Sequence, residues 1–234
     1  MKPKKETLNL HGFLSYPLSR IPDRQDLILS GPPVASVRGK YTMPHLFASY
    51  WRFLSAALVN GGQIGAVVPS QRFLIDRMIA PVPRGYQGQI LELGPGTGAL
   101  TLRLAARCPH ARILACEINS TLARHMRWTL ASAGLSGRVE VVLDAAEHLL
   151  SQITRRGIKP PDFIISGIPL ANLRRDAVMT LVESISQALA PGGMYIQFQY
   201  SLLDRKKIKA KFSKLRTAPV LLNFPPAVIY YARK

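Results

Sequence analysis

The stretch ELGPGTG, Glu92 to Gly98, decides how the rest of the chain is read. The apolar run QILELG (89–94) enters it with strand character, and a helical pattern with Leu100, Leu104 and Ala105 on its inward face leaves it near residue 98. Glycines at such a joint let the backbone approach a ligand closely, and the start of the helix offers unpaired N–H groups. Two readings fit. One is the dinucleotide fingerprint, read loosely as Gly94-x-Gly96-x-x-Ala99; the other is a site for a different nucleoside-bearing cofactor. Both need an acid at the end of the following strand to bind ribose hydroxyls. Glu117, which closes ARILACE (111–117), fills that position.

Outward from this joint the chain alternates strand and helix. Helical patterns at about 98–107, 120–132, 146–155 and 173–189 separate the strands 89–94, 111–117, VEVVLD (139–144), DFIIS (162–166) and MYIQFQY (194–200). Such repeated units with apolar strands predict a parallel sheet covered by helices on both faces. The alternation then breaks. A basic helix is expected over 203–215, followed by VLLNF (220–224), Pro225-Pro226 and AVIYYAR (227–233), read as an antiparallel hairpin on the sheet edge. The expected fold class is α/β, Rossmann-like: a seven-stranded, mostly parallel sheet with a C-terminal antiparallel hairpin and an N-terminal helical extension.

Residues 1–40 show no sustained periodicity and read as a mobile or surface-draped arm. In MPHLFASYWRFLSAALVN (43–60), Leu46, Phe47, Tyr50, Trp51, Leu54 and Leu58 share one helical face; a second helix is expected over 70–79. The organisation expected is therefore an arm (1–40), N-terminal helices (41–80) and a main domain (81–234).

Charge narrows the partners. Of the 234 residues, 31 are Lys or Arg and 13 Asp or Glu, a net charge of +18 that favours polyanions: nucleic acid or an anionic membrane. Residues 205–216, RKKIKAKFSKLR, hold seven bases and no acid. Ile208, Phe212 and Leu215 make an apolar stripe there, so the segment reads either as a solvated face or as a surface helix on anionic lipid. Two cysteines without a CxxC fit a reducing cytoplasm, and the five histidines lack metal-ligand spacing. The N-terminus lacks the apolar run of a signal peptide. The uncharged run 53–71 is broken by Asn60-Gly61-Gly62-Gln63 and Pro69, so no membrane span is expected.

Three features separate the two readings of the glycine joint: a helical segment precedes it, Glu92 and Gly98 frame it, and a hairpin follows the fifth parallel strand. ELGPGTG, then ACEIN (115–119), LDAA (143–146) and PGG (191–193), resemble a class I S-adenosylmethionine-dependent methyltransferase over roughly residues 60–234. The resemblance implies S-adenosylmethionine as cofactor and no metal. It counts Glu92 among the cofactor-binding residues and places Gly94, Gly96 and Gly98 facing the methionine portion, Glu117 on the ribose, Ile118 on the adenine face, and Asp144 with Ala145 at the adenine amino group.

A narrower resemblance lies in four dispersed segments. GAVVPSQRFLIDRM (65–78), SGIPL (166–170), QFQY (197–200) and NFPPAVIYYARK (223–234) are similar to segments of bacterial phospholipid N-methyltransferases. This implies methylation of a lipid amine, phosphatidylethanolamine towards phosphatidylcholine, with an ornithine-type aminolipid as the alternative acceptor. It adds Gly65, Ser70 and Ser166 to the cofactor side. Phe47, Tyr50 and Trp51 would belong to a helix that covers the lipid and touches the membrane, or equally to an ordinary core face. Pro169, Asn223, Lys206 and Lys207 join the substrate and membrane side. Tyr200 is the catalytic candidate, as a phenol or ring facing the amine; its plain reading is a packed strand aromatic.

The loop ISGIPL (165–170) almost spells the Asn-x-Pro-aromatic loop of amino-group methyltransferases, with Ser166 for the Asn and Leu170 for the aromatic. Enzymes that methylate rRNA adenine at N6 need an acceptor and a π-face there. The expected partner is thus an anionic membrane surface and its lipid, not nucleic acid. The expected state is a monomer in the cytoplasm, peripheral on the inner face of the cell membrane.

Overall fold

The computed structural model describes residues 69–156, 158–223 and 226–234. The arm, the aromatic helix with Phe47, Tyr50 and Trp51, and Gly65 lie outside the described residues. Thirteen regular helices and strands follow in order: α1 (Pro69–Ile79), β1 (Gln89–Leu93), α2 (Ala99–Arg107), β2 (Arg112–Glu117), α3 (Ser120–Ser132), β3 (Val139–Leu143), α4 (Ala146–Arg155), β4 (Phe163–Ser166), α5 (Arg175–Ala188), β5 (Met194–Gln199), α6 (Arg205–Lys209), β6 (Lys214–Val220) and β7 (Ala227–Arg233).

The seven strands form one sheet in the order β3-β2-β1-β4-β5-β7-β6. The first five run parallel, and β7 lies antiparallel to both β5 and β6. The chain builds outward from β1 to β3, then returns to place β4 on the other side of β1. Loops leaving the carboxyl ends of β1 and β4 therefore diverge, and a crevice opens between them, where ligands of open α/β sheets bind. Ile90, Leu91, Glu92 and Leu93 are all buried, as a central strand covered on both faces requires.

One core lies between the sheet and α1 to α3. Leu74, Ile75, Met78 and Ile79 of α1 pack with Ile90, Ile113, Ile165, Ile196 and Ile229. Polar contacts fasten the same helix. The Tyr231 hydroxyl donates to the Arg77 carbonyl at 2.6 Å, and Asp76 pairs with Arg103 at 2.5 Å, which holds the Asp76 carboxyl below its ordinary range. Residues 69–79 thus share their interior with the sheet. On the opposite face α5 buries Val178, Leu181, Val182 and Ile185.

The C-terminal region differs from expectation. The basic helix spans only Arg205–Lys209, not 203–215, and β6 runs over Lys214–Val220 rather than 220–224. Two inward demands end the helix. Ile208 is fully buried, and Phe212, beyond the helix end, stacks on the buried Tyr195 with ring centroids 5.6 Å apart. Ile208 and Phe212 thus belong to the interior and Leu215 is half-buried in β6, so the three do not form one lipid-facing helix surface. β6 is disguised because an edge strand keeps one side in water: KLRTAPV carries two bases and a proline, which an edge tolerates. The apolar VLLNF that looked like the strand is mostly the connection after it, with Leu221 and Leu222 exposed.

Candidate active site

The glycine joint forms at the carboxyl end of β1. The Gly94 N–H donates to the Cys116 carbonyl at 2.9 Å, tying the loop to β2, and Gly98 N–H closes a turn on Pro95 O at 3.0 Å. Gly98 then starts α2 with φ of 82°, a conformation that disfavours any side chain. At Gly96, φ is 59° and an added Cβ would meet nothing within 4 Å, so this part of the loop faces open space.

Glu117 ends β2 beside that loop. Its Oε2 accepts from Gly96 N–H at 3.0 Å and its Oε1 from Asn119 N–H at 2.9 Å. Asn119 in turn caps α3, its side-chain oxygen accepting from Thr121 and Leu122 N–H. The carboxylate is thereby fixed in position across the mouth of the glycine loop. Ile118 is apolar yet 75% exposed, directly after the carboxylate. An open backbone cradle, an oriented carboxylate and an uncovered aliphatic face fit a bound nucleoside: backbone approach, ribose hydroxyls and a ring face are each provided for.

Glu92 sits deeper. It is buried and accepts from the Thr101 hydroxyl at 2.6 Å, joining β1 to the first turn of α2. Burial pushes its carboxyl up to about 7 against the lowering effect of Thr101, and Glu117 adds to the rise. Its direct work is therefore to hold the joint together. At the end of β3, Asp144 accepts from Ala145 N–H at 2.8 Å and pairs with His148 at 2.7 Å, a contact that the sequence reading missed. An Asp-x-x-x-His spacing that runs from just before a helix into its first turn was the available signal. Beneath them, burial pushes the Cys116 thiol up to about 12, so it stays protonated.

The second loop, Ser166 to Pro169, leaves β4 alongside the first. Gly167 N–H donates to Leu93 O at 2.8 Å, and a Cβ on Gly167 would lie 2.7 Å from Gly94 O. The two loops touch through glycine. Ser166 is fully buried, and its hydroxyl accepts from Ile168 N–H at 3.2 Å. Pro169 opens a short 3-10 turn, Leu170–Asn172, that turns Leu170 into the interior, 1% exposed. Ser166 thus shapes the loop, and Leu170 is not at its open face.

Two residues given no role from the sequence brace this loop. Gln197 Nε2 donates to Ile168 O at 2.9 Å, Gln199 Nε2 to the same oxygen at 3.2 Å, and the Tyr195 hydroxyl donates to Gln197 Oε1 at 2.6 Å. Their alternation within QFQY was the available signal, since i and i+2 face the same side of a strand. Phe198 and Tyr200 take the other side, in an edge-to-face pair with centroids 5.8 Å apart. Tyr200 lies just past the end of β5, half-buried, at the same edge as both loops. Asn223 is buried at the end of the β6 connection, Lys206 is exposed, and Lys207 pairs with Asp204 at 2.5 Å. Ser70 lies in the first turn of α1. Among the described residues no helix is long and apolar enough to cross a membrane.

Residues 90–193, from β1 to the turn before β5, match the family described as methyltransferase domain. This part of the chain is a methyltransferase domain. An O-methyltransferase from Bacillus cereus solved in complex with SAH has the same fold, with a TM-score of 0.58 at 20% identity over 82% of this chain and 92% of that one. The domain is S-adenosylmethionine-dependent, and the glycine loop, Glu117 and Ile118 have the geometry that could hold the cofactor. The ornithine lipid N-methyltransferase of Singulisphaera acidiphila is 26% identical over 186 residues, 79% of this chain and 95% of that protein. The ribosomal RNA small subunit methyltransferase C of Salmonella choleraesuis is 32% identical over 110 residues, but this chain spans only 30% of its length.

Proposed function

We propose that the methyltransferase domain methylates the aliphatic amine of a membrane lipid headgroup. The observation that carries this reading is the match along 95% of an ornithine lipid N-methyltransferase, against 30% of the ribosomal RNA enzyme. The acceptor loop agrees with it. A planar, weakly nucleophilic base amine needs an oriented acceptor and a stacking face. Here the Ser166 hydroxyl is engaged by Ile168 and Leu170 is turned inward. An aliphatic amine needs neither once it has lost its proton. Phosphatidylethanolamine and an ornithine lipid both offer such an amine, and the relative favours the ornithine type.

When bound, S-adenosylmethionine supplies an electrophilic methyl whose departure leaves a neutral thioether. The protein's part is alignment and exclusion of water. Glu117 and the Gly94–Gly98 loop orient the cofactor; Gly167, held to Leu93, sets the acceptor loop beside that loop; Gln197 and Gln199 keep the loop from sagging. Partial burial lowers the acceptor's amine pKa, so the proton passes to water before attack. Tyr200 stands at the same edge and presents a ring against the nitrogen as it becomes cationic.

Purified protein incubated with methyl-labelled S-adenosylmethionine tests the reading, with vesicles of phosphatidylethanolamine, vesicles containing ornithine lipid, or rRNA. Label is expected in the lipid fraction. Label confined to RNA, or in none of the three, would refute the proposal.

A further inference from the structure

Eight large apolar side chains are exposed among the described residues, and most of them lie at one edge of the sheet. Ile118 follows the end of β2 and Leu143 is the last residue of β3, where the cofactor's ring face is expected. That leaves Leu202, Leu203, Leu221 and Leu222, exposed by 54, 81, 75 and 70%, which no cofactor contact explains.

These leucines form two tips that leave the sheet side by side. Gln199 and Pro219 both pair with Val228 of the strand between them, so β5 and β6 end at the same level. Two inter-strand spacings set the tips about 10 Å apart. Both bases are anchored. The Tyr230 hydroxyl donates to Ser201 O at 2.8 Å below the first tip, and Asn223 is buried below the second. The neighbouring loop along this edge is the acceptor loop, Ser166–Pro169.

The charge around the tips is one-sided. Asp204 is buried and held by Lys207. Arg205, Lys206 and Lys209 are exposed, and no acid follows Asp204 to the end of the chain. Protruding aliphatic side chains, with exposed cations directly after the first tip, suit a surface with anionic headgroups over hydrocarbon. Nucleic acid would meet the cations, but leucine gives a base no π-face to stack on.

We infer that the Leu202-Leu203 and Leu221-Leu222 tips insert into an anionic bilayer and so set the acceptor loop at headgroup depth. The inference rests on the lipid reading and adds the surface that docks. Its test uses the full chain and sedimentation with vesicles of phosphatidylcholine and phosphatidylglycerol, which contain no amine acceptor. The variant L202S/L203S/L221S/L222S is expected to lose about 100-fold or more in vesicle partitioning, since four apolar side chains no longer leave water. It should keep wild-type affinity for S-adenosylmethionine, which checks its fold, and wild-type methylation of a detergent-dispersed aminolipid.

Sedimentation of the variant equal to wild type would overturn the inference. So would an equal loss of activity on vesicles and on dispersed acceptor, because the tips would then serve the acceptor site and not the bilayer. If wild-type protein methylates neither form of aminolipid, the lipid reading fails by itself, while vesicle binding still reads the surface.

Discussion

The half of the sheet from β1 to β3 and the half from β4 to β7 build their sites in different ways. The first uses backbone amides and one carboxylate: Gly96 N–H and Asn119 N–H in the loops after β1 and β2, and Glu117 at the end of β2. The second relies on side chains from the neighbouring strand, with Gln197 and Gln199 of β5 holding Ile168 of the β4 loop. A cofactor with a constant shape can be held by backbone. An acceptor that differs between enzymes is served by side chains, which change without disturbing the sheet. β1 and β4 pair along the sheet between the two halves, and beyond the strand ends the two loops meet where Gly167 touches Gly94.

Breaking the cofactor half should have the largest effect. Glu117→Ala removes the acceptor of two N–H groups and, on the proposed reading, of the ribose hydroxyls. S-adenosylmethionine affinity, measured by calorimetry, should fall about 100-fold or more while the fold is kept. Beneath it, Glu92 makes the same half sensitive to pH. Its carboxyl has an ordinary value of 4.5 and a buried value of about 7, so native protein keeps a proton that the unfolded chain loses. The contribution of Glu92 to stability is therefore greatest below pH 4.5 and is lost as pH rises through about 7. Glu92→Gln should remove that slope, gaining up to about 3 kcal/mol on wild type between acid and mildly alkaline pH in denaturant unfolding.

The contact between the halves is sharpened by Gly167→Ala. The new Cβ would meet the Gly94 carbonyl, so one loop must move; a loss of about 1–3 kcal/mol in stability and weakened cofactor binding are expected together. Gln197→Leu should separate the halves. It removes one of two donors to Ile168 O, so kcat should fall about tenfold while S-adenosylmethionine affinity stays within about twofold. The smallest change is Tyr200→Phe, expected to lower kcat less than about threefold because the ring is kept. Tyr200→Leu, which removes the ring, should lower it further.

The same division explains what the sequence disclosed. The five parallel strands and the helices between them were legible to within two residues at their ends, because buried strands are apolar runs and the helices keep a clear inward face. The place of Glu117, at the end of β2 beside the glycine loop, was legible because an apolar run closes on an acid there. The β6 register was hidden by Lys214, Arg216 and Pro219 on a half-wet edge, while Leu221 and Leu222 imitated a strand. The stripe of Ile208 and Phe212 gave no sign of which way it faced, since a buried stripe and a membrane stripe look alike in sequence. Gln197 and Gln199 were visible as alternating residues, but their work depends on a carbonyl some thirty positions earlier.

The account stands on the nature of the acceptor nitrogen, and one competition measures it. Wild-type protein is given methyl-labelled S-adenosylmethionine with aminolipid vesicles and rRNA in the same tube, and the products are separated and sequenced or fragmented by mass spectrometry. The predicted result is methyl on the headgroup amine of the lipid and none on RNA. Methyl on an RNA base, with the lipid amine unmodified, would contradict it.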